Sequence, residues 1–190
     1  MSESRETYHV EVAGVARDLP LFEVAKGVRI AIVNILGDVE LVKKAARELA
    51  LKVADRNPEV LVTAETKSIP LVYELSAIMD LPYVVLRKAY KPYMGNALES
   101  ETLSITTGAP QKLYLDEKDR KLLQGRYVAI VDDVISTGST LQGIRLIVEK
   151  AGGHVVAQAA IFTEGDRAKW TDVIALGHLP IFISQDGDHA

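Results

Sequence analysis

The stretch from Val128 to Thr140, VAIVDDVISTGST, decides the fold, because an apolar strand, two carboxylates, a hydroxyl-rich loop and the start of a helix follow one another directly. Its first four residues are all apolar, as in parallel strands that are covered on both faces. Asp132 and Asp133 come at the end of that strand, where open α/β sheets bind their ligands. The segment therefore predicts a binding site at one edge of a parallel sheet.

The loop that follows the two aspartates has the composition of a phosphate site. A helix N-terminus presents free backbone N–H groups to an anion, and nearby hydroxyls supplement them. Gly138 lets the backbone approach the anion without a Cβ in the way. We expect the loop to hold a phosphate while the carboxylates accept hydrogen bonds from sugar hydroxyls. The alternative is that Thr137 to Thr140 only cap the helix.

Apolar strands alternate with amphipathic helices along the rest of the chain. Helices are expected from Asp38 to Val53, at 71–79 and at 140–151, since apolar residues recur there at helical spacing. Strands are expected at 28–36, 60–62, 83–86, 127–131 and 155–162. This alternation predicts an α/β fold with a central, mostly parallel, twisted sheet flanked by helices. Between 87 and 111 the periodicity disappears, which indicates a long loop.

Length and composition exclude several classes of protein. The chain has 190 residues, of which 48% are hydrophobic and 25% charged, as in a single globular domain. It has no cysteine, which excludes disulfides, a thiolate nucleophile and a zinc knuckle. The net charge of −4, from 22 basic and 26 acidic residues, argues against a general nucleic-acid binder. Without an apolar run long enough for a membrane span or a signal peptide, we expect a cytoplasmic protein.

The segment VAIVDDVISTGST resembles the phosphoribosyl-pyrophosphate (PRPP) signature of the type I phosphoribosyltransferases, in which a hydrophobic strand and two acidic residues precede a Thr-Gly-Ser/Gly-Thr loop. The resemblance implies that Asp132 and Asp133 bind the ribose 2- and 3-hydroxyls and take part in catalysis. It implies that the 5-phosphate is cradled by Ser136, Thr137, Gly138, Ser139 and Thr140. It also implies the type I phosphoribosyltransferase fold.

The same resemblance divides the single domain of residues 1–190 into parts. A core is expected at roughly 36–162, and a mobile loop that covers the site at roughly 88–111. A small hood subdomain is expected from the chain ends, at roughly 1–35 and 163–185. Within the loop, residues 104–108 are expected near the substrate, and the sequence does not say whether Glu99 or Glu101 serves as an acid.

Two basic segments follow two of the predicted strands. Thr66, Lys67 and Ser68 lie where the family places its pyrophosphate loop, although relatives often carry glycine, and an unusual peptide bond, at the position of Ser68. The second segment opens the long loop and contributes Arg87, Lys88 and Lys91, with Lys88 assigned as catalytic. Clustered cations suit a departing pyrophosphate, and related enzymes use basic residues here. The alternative for each segment is a set of solvated surface charges.

The hood is expected to select the nucleobase. Members that act on 6-oxopurines commonly place a lysine after the strand that corresponds to Val155–Phe162, whereas this chain has Glu164 nearby. A carboxylate accepts hydrogen bonds, so Glu164 suits an exocyclic amine or ring N–H, and Phe162 is expected to stack on the base. This favours adenine. Glu164 as a simple turn residue remains the alternative, and His178 and Trp170 are expected to be structural.

The sequence thus predicts an adenine-type purine phosphoribosyltransferase that uses PRPP with Mg²⁺, works as a homodimer, binds neither nucleic acid nor membrane, and carries no metal site of its own. One alternative is a transferase for a 6-oxopurine or orotate. A regulator that senses PRPP or a nucleotide without turnover is another.

Overall fold

The computed structural model describes residues 6–103 and 110–184. The strands are β1 Thr7–Val12, β2 Val15–Ala25, β3 Val28–Ala31, β4 Val60–Ala64, β5 Tyr83–Leu86, β6 Leu98–Leu103, β7 Pro110–Leu115, β8 Tyr127–Ile135, β9 His154–Glu164, β10 Ile174–Leu179 and β11 Phe182–Ile183. The α-helices are α1 Val39–Val53, α2 Ile69–Met79, α3 Arg120–Leu123 and α4 Ser139–Lys150. No helix in the described part is long and apolar enough to cross a membrane.

The centre of the molecule is a five-stranded sheet in the order β10-β9-β8-β4-β5, and every neighbouring pair in it is parallel. The side chains of β8 alternate between two apolar cores. Ala129 and Val131 join the core that contains α1 and α2, whereas Val128 and Ile130 join the core that contains α4. Both faces of the sheet are therefore covered, and the predicted α/β fold is confirmed.

Helix α1 begins where the sequence predicts, because Asp38 caps it. Its carboxylate accepts a hydrogen bond from the Leu41 N–H at 3.1 Å, which satisfies one of the free donors of the first turn. Arg17 of β2 donates to the same carboxylate at 2.8 and 2.9 Å. The cap therefore also ties the N-terminal strands to the central layer.

The N-terminal strands form a separate antiparallel sheet in the order β1-β2-β3-β11. Among the described residues of the C-terminal region, only β11 joins this sheet, since β10 pairs in parallel with β9 on the central sheet. The central layer therefore extends beyond residue 162, and the expected hood segment 163–185 is divided between the two sheets.

The segment expected to be a long loop is largely ordered in its described part. Pro92–Met94 is a 3-10 turn, and β6 and β7 form an antiparallel hairpin that packs against α4. The hydroxyl of Ser100 donates to the Gly143 carbonyl at 2.9 Å. The expectation of an irregular 88–111 segment is therefore wrong for these residues. Residues 104–108, expected near the substrate, lie outside the described residues, and a lid role stays a prediction.

Candidate functional site

The carboxyl ends of β4, β8 and β9 meet at one edge of the central sheet and carry the predicted site. Strand β8 does not stop at Val131 as expected but continues through both aspartates to Ile135, with Asp132 opposite Ala160 of β9. Asp133 is buried and Asp132 is half-buried. Because regular strand pairing holds this backbone, the points from which both carboxylate side chains extend are fixed.

Ser68, at the start of α2, joins the two carboxylates. Its Oγ lies 2.6 Å from Asp132 Oδ1 and 3.1 Å from Asp133 Oδ1, and it accepts from the Asp133 N–H at 3.0 Å. The Asp133 N–H also lies 2.9 Å from Asp132 Oδ1. The hydroxyl is 2% exposed. Ser68 thus connects the segment between β4 and α2 to the two aspartates of β8.

The surroundings of Asp132 and Asp133 disfavour a negative charge on both carboxylates at once. The pKa of Asp132 is raised to about 7, mainly because the carboxyl is removed from water and secondly because the charge of Asp133 lies beside it. The hydrogen bonds from the Ser68 hydroxyl and the Asp133 N–H lower this pKa and so act in the opposite direction. A sugar that donates hydroxyls to these oxygens would replace lost hydration. The arrangement is therefore suited to a polyhydroxylated ligand.

The hydroxyl-rich loop lies directly after these carboxylates. Gly138 has φ of +81°, a conformation that favours glycine, and α4 begins at the next residue. Thr137 Oγ1 and Ser139 Oγ lie 2.9 Å apart. Ser136 is exposed at the end of the strand, and Thr140 is half-buried in the first turn of α4. The structure thus brings all five predicted phosphate-loop residues to a helix N-terminus.

The first basic segment lies between β4 and α2. Thr66 and Lys67 are exposed, and the Lys67 ammonium donates to the Val33 carbonyl at 3.1 Å. The peptide bond between Glu65 and Thr66 is cis, whereas the sequence directs attention to the Lys67–Ser68 bond. Lys67 therefore reaches across to the chain segment that follows β3.

The second basic segment is organised by Glu65, a residue that the sequence analysis missed. Its carboxylate pairs with Arg87 Nε at 2.6 Å and accepts from the Lys88 N–H at 2.6 Å. The side chains of Lys88 and Lys91 are exposed. In the sequence, the only indication of this role is the position of Glu65, an acidic residue between a strand and a basic segment. Glu65 joins the two basic segments at the ends of β4 and β5.

The two residues assigned to the base differ sharply. Phe162 is 1% exposed and belongs to the core, and a Cβ at Gly177 would lie 2.8 Å from its ring. The ring is therefore packing, and stacking on a base would require its removal from the core. Glu164 ends β9 at the site edge, is 8% exposed, and its pKa is raised by burial.

Two further side chains hold the turn after β9. Trp170 Nε1 donates to the Glu164 carbonyl at 3.0 Å. The ring nitrogens of His178 lie 2.9 Å from Thr163 Oγ1 and 3.0 Å from the Gly165 carbonyl. Because a carbonyl only accepts, His178 Nε2 is the donor to Gly165, and its Nδ1 accepts from the threonine.

An open cleft of about 540 Å³ lies beside this turn, between the N-terminal sheet and the end of β9. Its lining residues are Tyr8, Gly165, Asp166, Arg167, His178, Pro180 and Ile181. Among residues 6–103 and 110–184, no group of three or more histidine, aspartate or glutamate side chains lies where it could hold a metal ion. The aspartate pair nevertheless offers oxygen ligands of the kind that Mg²⁺ prefers, alongside substrate phosphates.

Comparison with known proteins gives one family. A model of the phosphoribosyl transferase domain matches residues 32–175. The hypoxanthine/guanine phosphoribosyltransferase of Methanothermococcus okinawensis is 32% identical over 127 residues, which cover 67% of this chain and 65% of that protein. The purine biosynthesis transcriptional activator PurR of Lactococcus lactis is 29% identical over 132 residues, covering 70% of this chain and 48% of that protein. The chain thus spans about two thirds or less of the length of these relatives.

Solved structures agree on the fold. The adenine phosphoribosyltransferase of Thermoanaerobacter pseudethanolicus matches with a TM-score of 0.65 at 20% identity, covering 91% of this chain and 95% of that one. The adenine phosphoribosyltransferase of Rhodothermus marinus matches with a TM-score of 0.63 at 22% identity, covering 80% and 94%. At such identities the likeness concerns the arrangement of helices and strands.

Proposed function

The chain belongs to the phosphoribosyl transferase domain family, and from this we propose that it transfers the 5-phosphoribosyl group of PRPP to a purine. The observation that supports the proposal most strongly is the adjacency of a carboxylate pair, one member buried and the other half-buried, and a hydroxyl-rich helix N-terminus at one sheet edge. A phosphorylated sugar needs both features, since its hydroxyls donate to carboxylates and its phosphate accepts from N–H and O–H groups.

In this proposal Asp132 and Asp133 accept hydrogen bonds from the ribose 2- and 3-hydroxyls, and residues 136–140 hold the 5-phosphate. Strand pairing fixes the carboxylates and Ser68 links them, so the sugar meets acceptors that are already placed. Such preorganisation lowers the entropic cost of bringing the anomeric carbon to the attacking nitrogen.

The leaving pyrophosphate is assigned to the basic segments. Lys67, Arg87, Lys88 and Lys91 supply positive charge, and Thr66 and Ser68 supply polar groups beside them. Glu65 holds Arg87 and the Lys88 backbone, which keeps the two segments together before the ligand arrives. Charge placed where charge develops is the largest single contribution that a protein usually makes to such a step.

Mg²⁺ is assigned to the PRPP complex, where its chemistry is to neutralise pyrophosphate oxygens. Asp132 and Asp133 are the residues of this chain that would hold it or its water shell. A purine ring nitrogen then forms the bond to the anomeric carbon as the bond to pyrophosphate breaks. The proton that the nitrogen loses passes to solvent or to an acceptor at the site edge.

Adenine is the first choice of base, because the end of β9 presents the Glu164 carboxyl and no lysine follows it directly. A 6-oxopurine is the second candidate, favoured by the curated relatives that carry the name hypoxanthine/guanine phosphoribosyltransferase. The raised pKa of Glu164 bears on this choice, since a protonated carboxyl donates to a carbonyl oxygen.

A regulator that binds PRPP without turnover is supported by the match to PurR. Calorimetric titration with PRPP and Mg²⁺ separates binding from catalysis. We expect saturable binding to the unmodified chain and its loss in the Asp132→Asn/Asp133→Asn double variant. Asp172→Asn, which changes an exposed aspartate elsewhere, is the control. Equal affinity in all three proteins would remove the ribose assignment.

A further inference from the structure

We propose that Trp170 is a positioning residue that couples the phosphate loop to the base-side edge of the site. The inference rests on the proposed function, because it concerns how two parts of one substrate site affect each other. It assigns to the chain's single tryptophan a role beyond packing.

The two edges of the indole reach two different functional segments. On one edge, Nε1 donates to the Glu164 carbonyl at the end of β9, at 3.0 Å. On the other edge, Cη2 and Cζ3 face Gly138, where a Cβ would lie 3.0 and 3.4 Å from them. A rigid bicyclic ring therefore lies between the backbone of the proposed base edge and the backbone of the phosphate loop.

The indole also packs against the apolar core, in addition to its contacts at the two edges. Trp170 packs against the core cluster that includes Leu141 and Ile144 of α4. Its own 3-10 turn, Arg167–Trp170, is capped by Asp166, whose carboxylate accepts from the Ala168 N–H at 3.0 Å. The indole therefore has little freedom to move independently of its two contacts.

Gly138 permits the close approach, because it has no Cβ. Its φ of +81° suits glycine, and any side chain there would press on the indole. When an anion draws the backbone of this loop into place, the loop moves against Trp170, and the ring transmits that constraint to the Glu164 carbonyl. A ligand in one subsite therefore favours the arrangement that the other subsite needs, which is a coupling free energy between sites.

The test measures that coupling by calorimetry. Ribose 5-phosphate probes the phosphate loop, and adenine and hypoxanthine, in parallel, probe the base side. For the unmodified protein we expect saturating base to tighten ribose 5-phosphate binding about fivefold or more. Trp170→Phe keeps an aromatic ring but loses the N–H donor. We expect it to bind each ligand alone within about twofold of the unmodified protein, with coupling reduced below about twofold.

Tyr127→Phe is the matched control, because Tyr127 is an exposed aromatic at the opposite end of β8. It should keep the full coupling. Full coupling in Trp170→Phe, or none in the unmodified protein that binds both ligands, would overturn the inference and leave the proposed function standing. Failure of the unmodified protein to bind ribose 5-phosphate would overturn this inference, whereas the proposed function would be decided by the titration with PRPP.

Tryptophan fluorescence supplies a readout that needs no variant. Since the chain has one tryptophan, its emission reports the environment of Trp170 alone. Ribose 5-phosphate should change the emission with the same midpoint as the calorimetric titration. An unchanged emission at saturation would contradict the proposed contact between the ring and the occupied phosphate loop.

Discussion

Asp132 accepts hydrogen bonds from the Ser68 hydroxyl and the Asp133 amide, yet its charge is withdrawn from water beside a second carboxylate. Ionising such a group in the folded protein costs free energy that the unfolded chain does not bear. In the proposed function this cost is offset by binding, because a neutral amide would bind sugar hydroxyls less strongly than a carboxylate does. Stability and binding therefore make opposite demands on this residue.

The Asp132→Asn variant should be more stable than the unmodified protein at pH 8. In the unmodified protein the pKa of Asp132 is raised from 3.8 to about 7 in the folded state. Between these values the folded state holds a proton that the unfolded state has released, so stability falls as pH rises through that window. We expect the variant to melt about 3 °C or more higher at pH 8, and the difference to disappear near pH 4.

Thermal melts followed by circular dichroism measure this, with Asp172→Asn as the control on an exposed aspartate. A constant difference between the variant and the unmodified protein across the whole pH range would contradict the assigned burial of charge.

Ser68→Ala should weaken PRPP binding by about five- to thirtyfold, because the hydrogen bonds that Ser68 makes to a charged pair contribute about 1–2 kcal/mol. The Michaelis constant for PRPP should rise while kcat stays within about twofold, since the hydroxyl orients the carboxylates before the chemical step. Ser68→Gly should behave in the same way. Tighter PRPP binding in either variant would show instead that the serine hydroxyl competes with the ribose.

Helix α1 shows how one capped terminus links elements that are distant in sequence. Asp38 caps the helix and accepts two hydrogen bonds from Arg17 of β2, and this partner lowers its pKa below the usual range. A lowered pKa means that the stabilisation is present above the ordinary carboxyl pKa and is lost as the pH falls through the folded value. The cap therefore stabilises the protein at neutral pH.

Asp38→Ala should destabilise the protein by about 1–2 kcal/mol at pH 7, the usual cost of losing an N-cap. Denaturant unfolding measures this, and PRPP affinity should not change, since Asp38 lies outside the proposed site. Glu40→Ala is the matched comparison, because Glu40 is an exposed partner of the same arginine and such pairs contribute little. Equal losses in the two variants would show that the cap itself contributes nothing.

Elements with a continuous apolar signal were predictable from the sequence, and others were not. Helices α1, α2 and α4 and strands β4, β5, β8 and β9 follow from periodicity and from Gly or Pro at their ends. The hairpin β6–β7 was not predicted, because two inward positions on β6 carry Ser100 and Thr102. Their buried hydroxyls donate to carbonyls of α4. A strand that buries hydroxyls shows no hydrophobic alternation.

The same reasoning explains which site residues were found. The phosphate loop and the aspartate pair are contiguous in sequence, so their chemistry could be recognised there. Glu65, Trp170 and His178 act through contacts with backbone or with distant strands, which a single sequence does not reveal. Phe162 was misassigned because a position next to the site does not say on which side of the strand the ring points.

At the scale of the whole molecule, the central sheet leaves β5 at its edge, with Tyr73 of α2 and Tyr93 beside it, both exposed. Exposed aromatics next to an edge strand are typical of protein interfaces. We expect a homodimer through this face. Light scattering should give twice the chain mass of 20.8 kDa, and a Tyr73→Glu/Tyr93→Glu double variant should give the monomer mass. A monomer for the unmodified protein would contradict this assignment.

The net charge of −4 is compatible with a site for a small polyanion, since four cations, Lys67, Arg87, Lys88 and Lys91, follow the ends of β4 and β5. Fold, carboxylate pair, phosphate loop and basic segments all converge on one sheet edge.

The most direct measurement is pyrophosphate release from PRPP and Mg²⁺, with adenine, hypoxanthine, guanine and orotate supplied one at a time. We expect release that depends on a purine, with adenine the best substrate, and its loss in the Asp132→Asn/Asp133→Asn variant. If the protein binds PRPP but releases no pyrophosphate with any of the four bases, the transferase assignment is contradicted and a PRPP-binding regulator is left.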